Sequence, residues 1–244
     1  MKSTLFLASI FLLLITGGRV SAADTWVETY DSLLQKYVTS TGVRYSDWHD
    51  DKPDLAALAG VVKAISKEQT SGKSKDEQLA YYINAYNAWI LHLILEDYPT
   101  KGPGGGGLFG RTKFFKSENL TVAGEKISFS ALENDIIRPT FKEPRIHFAL
   151  NCASTSCPPL HAKVFRAETL DADLTALTKA FINDNPLGVS ITGGKAEVSK
   201  IFDWYGEDFT GGVLTYLNKY LTNPIPLSTK IDFQDYLWTL NQAR

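Results

Sequence analysis

Along residues 25–37 (TWVETYDSLLQKY) the apolar positions Trp26, Tyr30, Leu33, Leu34 and Tyr37 recur at helical spacing, which predicts an amphipathic helix. Residues 55–66 predict a second. The longest pattern runs over residues 75–98, opened by Ser74 as N-cap with Gln78 nearby and stopped by Pro99. Between Leu79 and Leu95 it is apolar on almost every face, so this helix belongs in the middle of the core. Shorter helices are predicted at 128–138, 168–183, 212–220 and 231–241. Strand patterns are fewer: 120–122 with 126–128 around Gly124, 145–150, and 189–192 with 196–199 around Gly193 and Gly194. Helices outweigh strands and nothing alternates as βαβ. The expected fold class is therefore α+β, mostly helical, with a central buried helix and a small, mostly antiparallel sheet.

Residues 1–22 carry a different pattern. Lys2 precedes an 11-residue apolar run over 5–15, then come Gly17, Gly18 and a Val20-Ser21-Ala22 cleavage motif. This predicts a cleaved signal peptide and a periplasmic or secreted destination. The run is shorter than the roughly 18 to 20 residues needed to span a bilayer, and no Cys follows it to take a lipid, so neither a membrane span nor a lipid anchor is expected. No linker or repeat divides residues 23–244, which predicts one globular domain. The whole chain sets 25 Lys and Arg against 27 Asp and Glu; the leader takes Lys2 and Arg19 with it, so the net charge falls from −2 to −4. No basic balance supports a nucleic-acid partner. The expected partner is a small molecule or peptide.

Six glycines lie in residues 101–110 (KGPGGGGLFG), and 105–112 spells G-x-x-x-x-G-R-T. A phosphate loop needs a preceding strand and a Lys, whereas a predicted helix precedes this run and Arg111 stands in the Lys position. A flexible surface loop is expected, with no nucleotide and no other cofactor.

Both cysteines and two of the four histidines fall in one stretch, PRIHFALNCASTSCPPLH at 144–161. Three readings compete. A Cys152–Cys157 disulfide would close a six-residue loop worth roughly 2 kcal/mol, as expected of a structural staple in an oxidising compartment. Alternatively Cys152 is a nucleophile, lowered in pKa by backbone amides at the loop mouth, with His147 as its base. On one straight strand those two would stand roughly 16 Å apart, so this reading needs a turn near Leu150 and Asn151. Thirdly, His147, Cys152, Cys157 and His161 have zinc-ligand chemistry, but the C-x4-C spacing is loose and no metal is expected.

Asn84 and Asn87 fall on one face of the otherwise apolar central helix. Buried amides must be hydrogen-bonded, or leaving them bare costs about 1 to 3 kcal/mol each. They either tie down a loop backbone or orient a catalytic His and stabilise an oxyanion. His92 is expected to be a satisfied core histidine and His49 a surface one. Asp203, Glu207 and Asp208, beside aromatics in SKIFDWYGEDF at 199–209, read as a capped surface helix.

Four motifs, INAYNAW at 83–89, LENDIIRPTF at 132–141, PRIHFALNCASTSCPPL at 144–160 and SKIFDWYGEDF at 199–209, are together similar to the family catalogued as domain of unknown function 547. The resemblance covers about residues 75–222. It implies that Asn84, Asn87, His147, Asn151, Cys152, Cys157, Ser199 and Lys200 occupy the family's polar motif positions. The resulting expectation has Cys152, His147, Asn84 and Asn87 as catalytic candidates. Asn151, Cys157, Ser199 and Lys200 are binding candidates. The activity expected is that of a thiol-dependent hydrolase or transferase; the competing expectation is a non-enzymatic binding module stapled by the disulfide.

Overall fold

The computed structural model describes residues 22–243 other than 104 and 106. The leader expected over 1–22 lies, Ala22 apart, outside the described residues. Within them no helix is long and apolar enough to cross a membrane.

The chain is mostly helical, with small and mostly antiparallel sheets. Its centre is the helix Lys75–Glu96, buried on nearly all sides from Leu79 to Leu95. Ser74 and Glu77 cap it reciprocally: Glu77 N–H donates to the Ser74 hydroxyl, and the Glu77 carboxylate accepts from Ser74 N–H at 2.7 Å. Gln78 instead binds the Lys73 carbonyl. The helix Lys52–Ile65 packs between the central helix and the helix Ala22–Tyr37. Their shared core includes Tyr30, Trp48, Leu58, Ile83, Ile94 and Phe129, of which the aliphatic and Phe side chains each contribute roughly 1.5 to 3 kcal/mol by burial. A second cluster gathers Phe148, Phe181, Phe202, Phe209 and Tyr216, carried largely by helices Leu170–Asn183, Ile201–Trp204 and Val213–Asn218.

Strands pair as Val38–Thr39 with Gly42–Val43, and Leu120–Val122 with Glu125–Ile127. The largest sheet sets Val189–Thr192 antiparallel to Lys195–Val198, which pairs in parallel with Lys230–Phe233.

Four expectations change. Residues 145–150 are not a strand: Pro144–Phe148 is a 3-10 turn, with the Glu143 side chain accepting from Arg145 N–H. Ile146 through Leu150 are all buried, without the alternation a half-buried strand requires. Residues 231–241 are not a helix: after Lys230–Phe233 the chain runs extended, bridged to Val43 through Gln242 and to Ser154 through Leu240. Tyr236, Trp238 and Leu240 alternate inward, with more exposed residues between them, which is the period of a strand. The helix expected at 128–138 is present but contains a π-helical segment, Leu132–Ile137, between Phe129–Ala131 and Arg138–Phe141. The glycine run is not all loop, because Gly107–Lys116 is helical with Leu108 and Phe109 exposed.

Candidate active site

Asn87 sets the position of the cysteine loop. Its Nδ2 donates to the Ala149 carbonyl at 2.9 Å and its Oδ1 accepts from Asn151 N–H at 2.8 Å. Asn151 then folds the loop over itself, accepting from Ala153 N–H at 2.9 Å and donating to the Pro158 carbonyl at 2.7 Å. Between these clamps Ala153 adopts φ +61°, a left-handed conformation that costs an alanine roughly 1 to 2 kcal/mol and turns the chain sharply beside Cys152. The C-terminal strap closes over the loop through Thr155 N–H to the Thr239 carbonyl and Asn241 N–H to the Ala153 carbonyl.

Cys152 and Cys157 are both free thiols. Cys152 N–H donates to Cys157 Sγ at 2.8 Å, while Cys152 Sγ lies 2.9 Å from Ser154 Oγ and 3.1 Å from Tyr236 Oη. Burial pushes the Cys152 thiol up, but hydrogen bonds from the Cys157 thiol, the Ser154 and Tyr236 hydroxyls and the Ser154 amide outweigh it and bring its pKa down to about 7. Cys157 moves the opposite way, pushed up by burial and by the neighbouring Cys152 sulfur. Of the pair, Cys152 is therefore the thiol that ionises around neutral pH, while Cys157 stays protonated.

His147 sits in the 3-10 turn between the two hydrophobic clusters, with Ile146 in one and Phe148 in the other. Its ring stacks on Tyr205 at 4.1 Å. Nε2 is 2.7 Å from Asp208 Oδ2, and Nδ1 is 3.9 Å from Glu133 Oε1. Asp208 also accepts from Arg138 Nε at 2.7 Å and Nη2 at 3.0 Å, and Arg138 Nη1 donates to Asn134 Oδ1 at 2.7 Å. Burial would raise the Asp208 carboxyl, but His147 and Arg138 hold it well below the usual carboxylate range. Asp208 therefore orients the imidazole as an ionised carboxylate.

Cys152, Cys157, His147 and Glu133 line one cavity of about 300 Å³, walled by Tyr86, Phe115, Trp204, Tyr205, Tyr236 and Trp238. The π-helical segment carries Glu133 and Asn134 into that wall; such segments recur at functional sites. Among the described residues Cys152 and His147 share the cavity without a hydrogen bond to each other, since His147 Nε2 is taken by Asp208. With a 3-10 turn in place of a straight strand, His147 and Cys152 reach the same cavity.

The other expected residues are placed differently. Asn84 donates to the Phe165 carbonyl at 2.8 Å and accepts from Phe165 N–H at 2.9 Å, so both central-helix amides hold loop backbone and neither bonds His147. Ser199 Oγ accepts from Ile201 N–H, and Lys200 pairs with Asp203 and lies over the Phe233 ring; neither lines the cavity. His161 faces Asp173 and Phe165, and among the described residues no group of three or more His, Cys, Asp or Glu is arranged to hold a metal. His92 is half-buried against Glu96. Asp208, read from its sequence surroundings as part of a surface helix, is instead the partner of His147. Glu133, Tyr205 and Tyr236 were not singled out; for Tyr236 the signal was the alternation with Trp238 and Leu240.

No curated protein and no solved structure matches the chain significantly. The match to a family model covers 70–182 and takes in the cysteine loop, His147 and Glu133 but not Tyr205, Asp208 or Tyr236. The family whose model residues 70–182 match is described as Protein of unknown function, DUF547.

Proposed function

We propose that this chain is a thiol-dependent hydrolase or transferase, exported from the cytosol, in which Cys152 is the nucleophile. The observation that carries this reading is a half-buried thiol with a pKa of about 7 facing the same cavity as an Asp208-oriented imidazole. The leader pattern over 1–22 supports export.

Four hydrogen bonds already favour the thiolate, so Cys152 ionises near neutral pH without a dedicated base. His147 acts from across the cavity as the proton donor to the leaving group, held by Asp208 and stacked on Tyr205. In the first half-reaction Cys152 Sγ bonds to an acyl carbon, and the leaving group departs with a proton from His147. In the second, water or another acceptor gives its proton back to His147 and takes the acyl group, breaking the C–S bond. Asn84 and Asn87 hold the scaffold of this site. Asn151 and Cys157 shape the loop and its charge.

Incubation with p-nitrophenyl acetate tests the reading. The expected result is about one equivalent of nitrophenolate released in a burst, with the acetyl mass on Cys152 and none in Cys152→Ser. An unlabelled Cys152, or an isolated protein whose Cys152–Cys157 disulfide resists mild reductant, overturns it in favour of the stapled binding module.

A further inference from the structure

We propose that the cavity receives a substrate bearing an ammonium or similar cationic group on an apolar body. This deepens the thiol reading, since it rests on taking the same cavity as the substrate site. Among the described side chains that line the cavity Glu133 is the one carboxylate, and no Lys or Arg lines it. Glu133 is 8% exposed, and no Lys or Arg among the described residues pairs with it. Its polar neighbours are the Tyr205 phenol and His147 Nδ1 at 3.9 Å. The nearby guanidinium of Arg138 is committed to Asp208 and Glu207. A carboxylate so far from water is costly to leave without a cation, and a ligand ammonium supplies one.

The walls fit the same ligand. Six aromatic rings surround the space, with Leu150, Ile201 and Pro158 completing an apolar lining. Two of those rings already take cations on their faces: Arg138 sits 5.0 Å over Tyr205 and Arg111 sits 4.8 Å over Trp238. An anionic ligand would meet Glu133 and the Cys152 sulfur together, with no Lys or Arg in the wall to receive it and His147 already bonded to Asp208. The cavity therefore discriminates by charge before chemistry begins.

Calorimetric titration with 2-phenylethylammonium, 2-phenylethanol and 3-phenylpropionate tests this on the full chain and on Cys152→Ser. The ammonium compound is expected to bind about tenfold tighter than the alcohol in both proteins, with the carboxylate weakest, and Glu133→Gln is expected to erase the preference. Binding of the alcohol or carboxylate as tight as that of the ammonium, or no ammonium binding up to about 10 mM, overturns the proposal. If Glu133→Gln does not fold, protection of wild-type Cys152 from iodoacetamide decides: the ammonium compound slows alkylation and the carboxylate does not, and equal protection or none overturns it. Charge discrimination without acetylation of Cys152 sinks only the nucleophile reading. Acetylation without charge discrimination sinks only this one.

Discussion

Hydrogen-bond donors lower the pKa of Cys152, and each donor is separable. Tyr236→Phe removes one donor to the thiolate, worth roughly 1 kcal/mol. The midpoint of Cys152 alkylation should then move up from about 7 by half a pH unit to one, read from the pH dependence of the iodoacetamide rate. Asp208 makes a second prediction through its own ionisation. Its carboxyl is held below the ordinary 3.8, so the stabilisation is fully present above that pH and is lost as pH falls through the acid range. Because the carboxylate is partly exposed, Asp208→Asn should cost about 1 kcal/mol at neutral pH, and the difference from wild type should shrink progressively as pH falls below the ordinary 3.8 in urea titrations. A difference that does not shrink below that pH would contradict the charge assignment. The importance of Asp208 was hidden in sequence because its partner His147 lies 61 positions upstream and an acid among aromatics looks the same on a surface helix.

At the level of elements, the two amides of the central helix do different work from adjacent turns. Asn87 holds the turn that carries Cys152, whereas Asn84 holds the Phe165 backbone on the other side of the core. Each alanine substitution strands two buried backbone groups and should destabilise by roughly 2 to 4 kcal/mol in urea melts. Asn87→Ala should also raise the alkylation midpoint of Cys152; Asn84→Ala should leave it in place. Equal effects on the midpoint would show that the loop does not depend on the Asn87 clamp. The central helix itself was legible, because its unbroken apolar run has only one comfortable location. The 3-10 turn was not, since Pro144-Arg145-Ile146-His147-Phe148 also fits the apolar alternation of a strand. The C-terminal strap was misread because the helical and period-two patterns share several positions between Ile231 and Leu240, and pairing with Lys195–Val198 decided between them.

Across the whole molecule, the site depends on parts of the chain far apart in sequence. Cys152 comes from the family-matched region, Asp208 from beside the second hydrophobic cluster, and Tyr236 from the strap that crosses the cysteine loop. The two hydrophobic clusters meet at the turn of His147, so packing there places the imidazole. The motif residues were legible as a set. Their division into scaffold and cavity wall was not, because it depends on tertiary partners that lie outside the motifs. If the lowered thiol pKa belongs to the fold and not to the local Asn-Cys-Ala-Ser sequence, it must disappear when the fold does. The alkylation rate of Cys152, measured against pH by mass spectrometry in the native protein and in concentrated urea, tests this directly. A native midpoint of about 7 that returns toward the ordinary 9.0 on unfolding is expected; a native midpoint already near 9.0, or no difference between the two states, would contradict control of the thiol by the fold.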